Sequence, residues 1–278
     1  MNTIHLKEVL HRAFKEDIGT GDLTTESIFI SNKKATGIFT AKADGVLAGL
    51  EIIDLGYKSL DDRVIVEYYK KDGDSVSKGE NIAKVTAPVR TLLTGERVIL
   101  NLLQHLSGIA TATKHTVALL DDPTITVTDT RKTIPGLRAL QKFAVRCGGG
   151  KNHRFRLDDE VIIKDNHIKA AGSIAKAVEM VRKNVGHMVK VEVETETKEQ
   201  VLEAVKAKAD VIMLDNRTPE EVRTLVQLIP EHITVEVSGG ITPTSISTYK
   251  GCGADVISLG WLTHSVTALD ISFNLVEV

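Results

Sequence analysis

The sequence predicts an α/β protein built on a parallel sheet, with a β-rich unit ahead of it. Three observations carry this expectation. Hydrophobic residues make up 42% of the 278 positions while aromatics supply only 4%, the usage of parallel strands packed under helices and rich in Ala, Val, Ile and Leu. From Thr124 onward, short apolar runs alternate with stretches of helical spacing. Before that, residues 35 to 90 hold short strand-like runs broken by turn signals.

Taken in order, Met1 to Lys15 carries Leu6, Val9, Leu10, Ala13 and Phe14 at helical spacing with charges between, so an amphipathic helix is expected. Thr36 to Ala41, Val64 to Tyr69 and Ile82 to Thr86 read as strands, punctuated by Asp44-Gly45, Asp72-Gly73 and Lys78-Gly79. Ile99, Leu102, Leu103, Leu106, Ile109 and Ala110 predict a long helix from Thr94 to about Leu120. Strands follow at Ile125 to Thr128, Val161 to Ile163, Val189 to Val193, Val211 to Leu214, Ile233 to Val237 and Val256 to Leu259. Helices are expected at 173 to 185, 197 to 208, 218 to 229 and 244 to 251.

Composition narrows the function classes. A formal net charge of −2 gives no general attraction to nucleic acid or anionic lipid. Cys147 and Cys252 lie too far apart in sequence for the close spacings of zinc or redox sites, so free thiols in a reducing compartment are expected. The amino terminus lacks the apolar core of a signal peptide and no stretch reaches the length of a membrane span, so the expected location is the cytoplasm. His-Glu-x-x-His, paired cysteines and a nucleophile elbow are absent from the sequence, which counts against hydrolase readings.

The chemistry gathers where the apolar runs end: Asp129-Thr130-Arg131-Lys132, Lys164-Asp165-Asn166-His167, Glu194, Asp215-Asn216, Ser238-Gly239-Gly240 and Gly260. In an α/β barrel all strand carboxyl ends meet at one rim, where active sites are built. Between Arg131 and Lys169 ten Lys or Arg face four acids, a local surplus of +6. With Gly148-Gly149-Gly150 just ahead of Lys151-Asn152-His153-Arg154, this pattern suits a polyanionic ligand. A charge run alone is more often a solvated face; placement at the rim favours ligand binding. Glu192 and Glu194 project to one side of their strand, and Glu194 with Asp215 can hold Mg²⁺, contact ribose hydroxyls, or neutralise nearby cations. Successive final loops with Ser238-Gly239-Gly240 and Gly260 suit phosphate. For His153 and His167, ligand binding is favoured over proton transfer.

With those residues in hand, the sequence resembles the quinolinate phosphoribosyltransferase family nearly end to end. The match runs through residues 16 to 25, Gly95-Glu96-Arg97, residues 106 to 111, Thr130-Arg131-Lys132-Thr133, residues 144 to 150, Asn152-His153-Arg154, residues 163 to 167, Leu214-Asp215-Asn216 and Ser238-Gly239-Gly240. The resemblance implies an α/β fold of type II phosphoribosyltransferase kind: an amino-terminal α/β sandwich domain over 1–112, to which 266–278 returns, and an incomplete α/β barrel over 113–265. It implies transfer of the phosphoribosyl group of PRPP to quinolinate with decarboxylation, giving nicotinate mononucleotide, pyrophosphate and CO2, a step of de novo NAD biosynthesis. Lys132, Lys164, Glu194 and Asp215 are the implied catalytic residues. Arg131, His153, Arg154 and Lys164, with Arg97 of the partner subunit in a homodimer or a hexamer of dimers, would surround quinolinate. Lys132 and Lys164 would reach the PRPP phosphates, Glu194 and Asp215 the ribose hydroxyls and Mg²⁺, and Ser238, Gly239, Gly240 and Gly260 the 5-phosphate.

Two positions depart from the family pattern. Arg156 stands where many relatives carry glycine, and His264 where some place lysine. Two competing readings remain at this point. A related transferase-like protein of the kind associated with molybdenum transport would share the fold, but Arg97, Arg131, His153, Arg154 and Lys164 match a dicarboxylate substrate. Asp72-Gly73-Asp74 through Lys78-Gly79-Glu80 resembles half of a biotinyl or lipoyl carrier hairpin, yet Ala41 to Gly49 offers no convincing lysine at a hairpin tip.

Overall fold

The computed structural model describes residues 1–30 and 33–277. In chain order the elements begin α1 (Thr3–Ile18), α2 (Leu23–Ile28), β1 (Lys34–Ala41), β2 (Gly45–Val46), α3 (Glu51–Lys58), β3 (Ile65–Tyr68), β4 (Ser75–Val76), β5 (Asn81–Pro88) and α4 (Val89–Leu120). They continue β6 (Thr126–Thr128), α5 (Arg138–Cys147), β7 (Val161–Ile163), α6 (Asp165–Ala171), α7 (Ile174–Asn184), β8 (Val191–Thr195), α8 (Lys198–Lys206), β9 (Val211–Asp215) and α9 (Pro219–Val226). Last come β10 (Thr234–Ser238), a 3-10 turn (Ile246–Tyr249), β11 (Val256–Ser258), α10 (Trp261–His264) and β12 (Ile271–Glu277).

The chain divides into two compact units: residues 1–114, 133–149 and 261–278 form one, and residues 115–132 and 150–260 the other. The first contains a four-stranded sheet ordered β12-β1-β5-β3 and the small pair β2-β4. Neighbouring strands of the larger sheet run antiparallel. Helix α1 starts where the Asn2 side chain accepts the N–H groups of Ile4 and His5, and it buries Leu6, Leu10 and Phe14 along one stripe. On the sheet, Phe39 packs against Phe273 with ring centroids 4.7 Å apart and against Tyr57 at 6.4 Å. Gly37 is fixed by this packing, because a Cβ there would stand 2.1 Å from the Phe273 ring.

The returning carboxyl-terminal segment forms β12 on the open side of β1, with Phe39 opposite Phe273; residue 278 of the expected 266–278 segment lies outside the described residues. Residues 133–149 group with this first unit, whereas the sequence placed them in the barrel domain. The reason is apolar packing: Leu140, Ala144 and Val145 of α5 are buried in the same core as Leu106, Ile109 and Ala110 of α4.

The second unit is a six-stranded parallel sheet ordered β6-β11-β10-β9-β8-β7. All six strands lie at the expected positions, with boundaries shifted by no more than two residues. Helix starts are set by local chemistry. Ser173 caps α7, while Thr197 with Gln200 and Thr218 with Glu221 form reciprocal capping boxes on α8 and α9. Their buried faces are Ile174, Ala177 and Val178, then Val201 and Ala204, then Val222 and Leu225. The helix expected over 244–251 is reduced to the single 3-10 turn, in which both the N–H and the hydroxyl of Thr248 donate to the Ser245 carbonyl three residues back. Helix α4 starts at Val89 rather than near Thr94 because β5 passes into it directly.

Candidate active site

Register decides which side chains meet at the carboxyl ends of the parallel strands. Glu194 of β8, Met213 of β9 and Glu236 of β10 are level with one another, and two residues onward Asp215, Ser238 and Ser258 form the next row. Paired residues on parallel strands share a face. All six line a cavity of about 690 Å³, together with Arg131, Lys132, His153, Arg154 and Lys164 from the loops. The scattered strand-end motifs are thereby gathered within the second unit.

The cations are held by specific anchors. Asp129, fully buried at the end of β6, accepts the His153 N–H at 3.0 Å and the Asn152 amide at 2.5 Å, so it staples the 152–153 segment beside the strand. Arg154 donates through Nη1 to the Glu160 carbonyl at 2.7 Å. Burial and the neighbouring Arg131 weaken its hold on the proton, while Glu192, Glu160 and Asp159 oppose that effect. Its buried Nε finds no hydrogen-bond partner among the described residues. A cation crowded against another cation in this way is suited to an anionic ligand.

Lys164, immediately after β7, donates to Glu194 Oε2. Asp215 has its carboxyl raised above the ordinary carboxylate range, first by burial and then by the charge of Glu194. Its Oδ2 accepts the Asn216 amide at 2.6 Å. Asn216 itself adopts a left-handed backbone at φ 54° and donates its N–H to the Ser238 carbonyl at 2.8 Å. Gly239 follows at φ 85°, and a Cβ there would lie 2.3 Å from Asn216 Oδ1. Glycine is therefore required on two grounds, backbone angle and close approach. The result is a bare backbone turn bordering the cavity.

His153 lines the cavity with the cations. Its Nε2 lies 3.1 Å from Glu236 Oε2 and 3.4 Å from Glu192 Oε2, and its Nδ1 accepts the Arg154 N–H at 2.8 Å. Burial disfavours a charged ring, while the bonds and charges of the two glutamates favour one. The Nδ1 contact works against that second proton, since a protonated Nδ1 would face another N–H. With Nδ1 occupied as an acceptor, the ring carries its proton on Nε2 and donates it to Glu236.

Two family models match nearly the whole chain: the quinolinate phosphoribosyl transferase N-terminal domain over residues 22–107 and the C-terminal domain over residues 109–274. The chain belongs to the quinolinate phosphoribosyl transferase family. It is 54% identical over 275 residues to the probable nicotinate-nucleotide pyrophosphorylase [carboxylating] of Bacillus subtilis, covering 99% of this chain and 95% of that one. NadC from Streptococcus pyogenes superposes with a TM-score of 0.97 at 41% identity, covering 100% and 99% of the two chains. The nicotinate-nucleotide pyrophosphorylase of Francisella tularensis does so with 0.93 at 36% identity, covering 99% and 97%.

Set against the expectations for this family, Arg131, Lys132, His153, Arg154, Lys164, Glu194, Asp215, Ser238, Gly239 and Gly240 all line the cavity. Gly260, two residues beyond β11, does not, and neither does Arg97, which lies exposed on α4 of the first unit near Glu96. Arg156 turns to Asp158 at 3.0 Å and to Asp159 at 3.5 Å and stays outside the lining. His264 lies outside it as well, with Nδ1 2.6 Å from Ser265 Oγ. Sequence reasoning missed Glu236, Met213 and Ser258. Glu236 had a signal, because Val235-Glu236-Val237 puts an acid inside an apolar strand as Val191-Glu192-Val193 does.

Among the described residues, the one group of three or more metal-capable side chains is His153, Glu192 and Glu236, and Glu194 with Asp215 gathers no third. Two mutually repelling carboxylates at adjacent strand ends nevertheless fit Mg²⁺, which takes one or two carboxylates and completes its shell with waters and substrate phosphates. No helix among the described residues is long and apolar enough to cross a membrane.

Proposed function

We propose that this chain transfers the phosphoribosyl group of PRPP to quinolinate and releases CO2 and pyrophosphate, forming nicotinate mononucleotide for NAD synthesis. The observation that carries the reading is the cavity itself: Arg131, Lys132, Arg154 and Lys164 face a space that also holds Glu194, Asp215 and the Ser238-Gly239-Gly240 turn. Cations at one side and carboxylates with a bare backbone at the other match a dicarboxylate and a phosphorylated sugar.

In this reading Arg131, Arg154 and Lys164 hold the two quinolinate carboxylates, joined by Arg97 of the partner subunit in a homodimer or hexamer, while His153, whose two ring nitrogens are engaged by Glu236 and the Arg154 N–H, borders the site without donating to the substrate; the pyridine nitrogen is aimed at C1 of the ribose. Glu194 and Asp215 hold the ribose hydroxyls and Mg²⁺, and Ser238, Gly239, Gly240 and Gly260 take the 5-phosphate. Held by Glu194 and Asp215, Mg²⁺ would supply neutralisation of the charge on the departing pyrophosphate. Lys132 and Lys164 add fixed positive charge where that leaving group develops its own. The C1–oxygen bond breaks as the nitrogen–C1 bond forms. The nitrogen is now positive and stabilises the carbanion left at ring C2 when its carboxylate departs as CO2, after which C2 takes a proton. Orientation and electrostatics suffice, with no covalent enzyme intermediate. The thiols are poor nucleophile candidates: burial pushes Cys147 up to about 12 and also raises Cys252. The reaction uses small soluble substrates, consistent with a cytoplasmic enzyme that needs neither nucleic acid nor membrane.

The test is incubation of the purified protein with quinolinate, PRPP and Mg²⁺, following nicotinate mononucleotide by chromatography, with nicotinate replacing quinolinate in parallel. Product from quinolinate alone is expected. Product from nicotinate at a similar rate, or from neither, would overturn the assignment.

A further inference from the structure

At the cavity wall the mechanism leaves two acids unused. Glu236 is 3% and Glu192 5% exposed, and the Oε1 atom of each is buried with no hydrogen-bond partner among the described residues. Carrying two buried carboxylates so incompletely satisfied is costly, and a purely structural core would replace them with apolar groups. What they have in common is His153 Nε2, at 3.1 Å from Glu236 and 3.4 Å from Glu192.

A metal ion held by the three side chains is the first alternative. It requires the Nε2 lone pair of His153, and therefore a proton on Nδ1 donated to some acceptor. The structure has the opposite arrangement, because Nδ1 accepts the Arg154 N–H at 2.8 Å. Nε2 then carries the proton and points at an acceptor rather than at a cation.

We propose that Glu236, with Glu192 beside it, is a positioning residue for quinolinate: it fixes His153 as the Nε2–H tautomer, leaving Nδ1 to anchor the Arg154 backbone and so to set where the Arg154 guanidinium stands. This rests on the reading of the cavity as a quinolinate site. The chain of contacts is continuous, from Glu236 Oε2 to His153 Nε2, from His153 Nδ1 to the Arg154 N–H, and from Arg154 Nη1 to the Glu160 carbonyl. Asp129 closes it from the other side by accepting the His153 N–H. Arg154 is thus located by its backbone on one side and its guanidinium on the other. In metal sites, loss of the partner that fixes a histidine's tautomer typically costs about 10- to 100-fold, and an effect of that order is expected here.

The experiment pairs a spectroscopic readout with kinetics. In protein labelled with ¹⁵N on histidine, the ring resonances of His153, assigned by their loss in His153→Gln, report the tautomer without any substrate. The wild-type protein is expected to show the neutral Nε2–H form, unmoved by added Zn²⁺. A proton on Nδ1, or a Zn²⁺-dependent shift of the His153 signals, would overturn the proposal whatever reaction the protein catalyses. In kinetics, Glu236→Leu is expected to raise the quinolinate KM by about 10- to 100-fold with the PRPP KM little changed, and Glu236→Gln, which keeps an acceptor oxygen, to recover most of that loss. Equal changes in both KM values, or no recovery with glutamine, would contradict it. Should wild-type protein show the tautomer but form no nicotinate mononucleotide, the functional reading fails and the tautomer assignment stands.

Discussion

The antiparallel sheet of the first unit and the cavity of the second are built on opposite principles. Phe39, Tyr57 and Phe273 pack ring against ring, fully or nearly buried, and the Tyr57 hydroxyl donates to the Leu92 carbonyl. Around the cavity, charge is kept close to like charge: Arg154 near Arg131, Asp215 near Glu194, Glu192 near Glu236. The first arrangement maximises stability, since each aromatic removes a large apolar surface from water. The second forgoes stability so that its charges remain available to a ligand. Substitutions in the two regions should therefore separate folding from activity.

The largest effect is expected from Phe39→Ala, which opens a cavity beside Phe273 and should cost roughly 3 to 5 kcal/mol of unfolding free energy. Denaturant melts would show it, while activity per folded molecule remains. Lys164→Ala is the converse. Removing the cation paired with Glu194 should lower kcat about 100-fold, with the melting midpoint almost unmoved; a large fall in stability would mean that Lys164 belongs to the scaffold and not to the site. The smallest effect concerns a partly exposed pair in the first unit, Arg63 with Asp61. Hydrogen bonds from Arg63 lower Asp61 to about 2, so its stabilisation is present above the ordinary aspartate range and is lost as pH falls toward 2. Asp61→Asn should flatten that acid limb by less than about 1 kcal/mol, as for surface pairs generally, and leave stability at alkaline pH unaltered relative to neutral.

How far the sequence reaches also differs between the two regions. The parallel strands were legible because short Val- and Ile-rich runs have no other stable use between capped helices, and their endings marked the rim residues directly. Helix α5 was not, because Arg138–Cys147 mixes charges with apolar residues, and the polar Gln141 and Lys142 are fully buried beside Leu140, Ala144 and Val145, which blurs the apolar stripe. In the site, Arg131 and Lys164 could be found from their place after a strand. Glu236 required register: only the alignment of β8, β9 and β10 shows that it stands level with Glu194 and within reach of His153. Tautomers lie further still from the sequence, since they depend on which backbone N–H meets which ring nitrogen.

The central claim is that one cavity joins the pyridine nitrogen to the ribose and then sheds the neighbouring carboxylate. The most direct measurement uses quinolinate labelled in the carboxylate at ring position 2 and counts labelled CO2 against nicotinate mononucleotide. Equal amounts, appearing only when PRPP is present, are predicted. CO2 released without PRPP, or nucleotide accumulating with the label retained, would contradict the account.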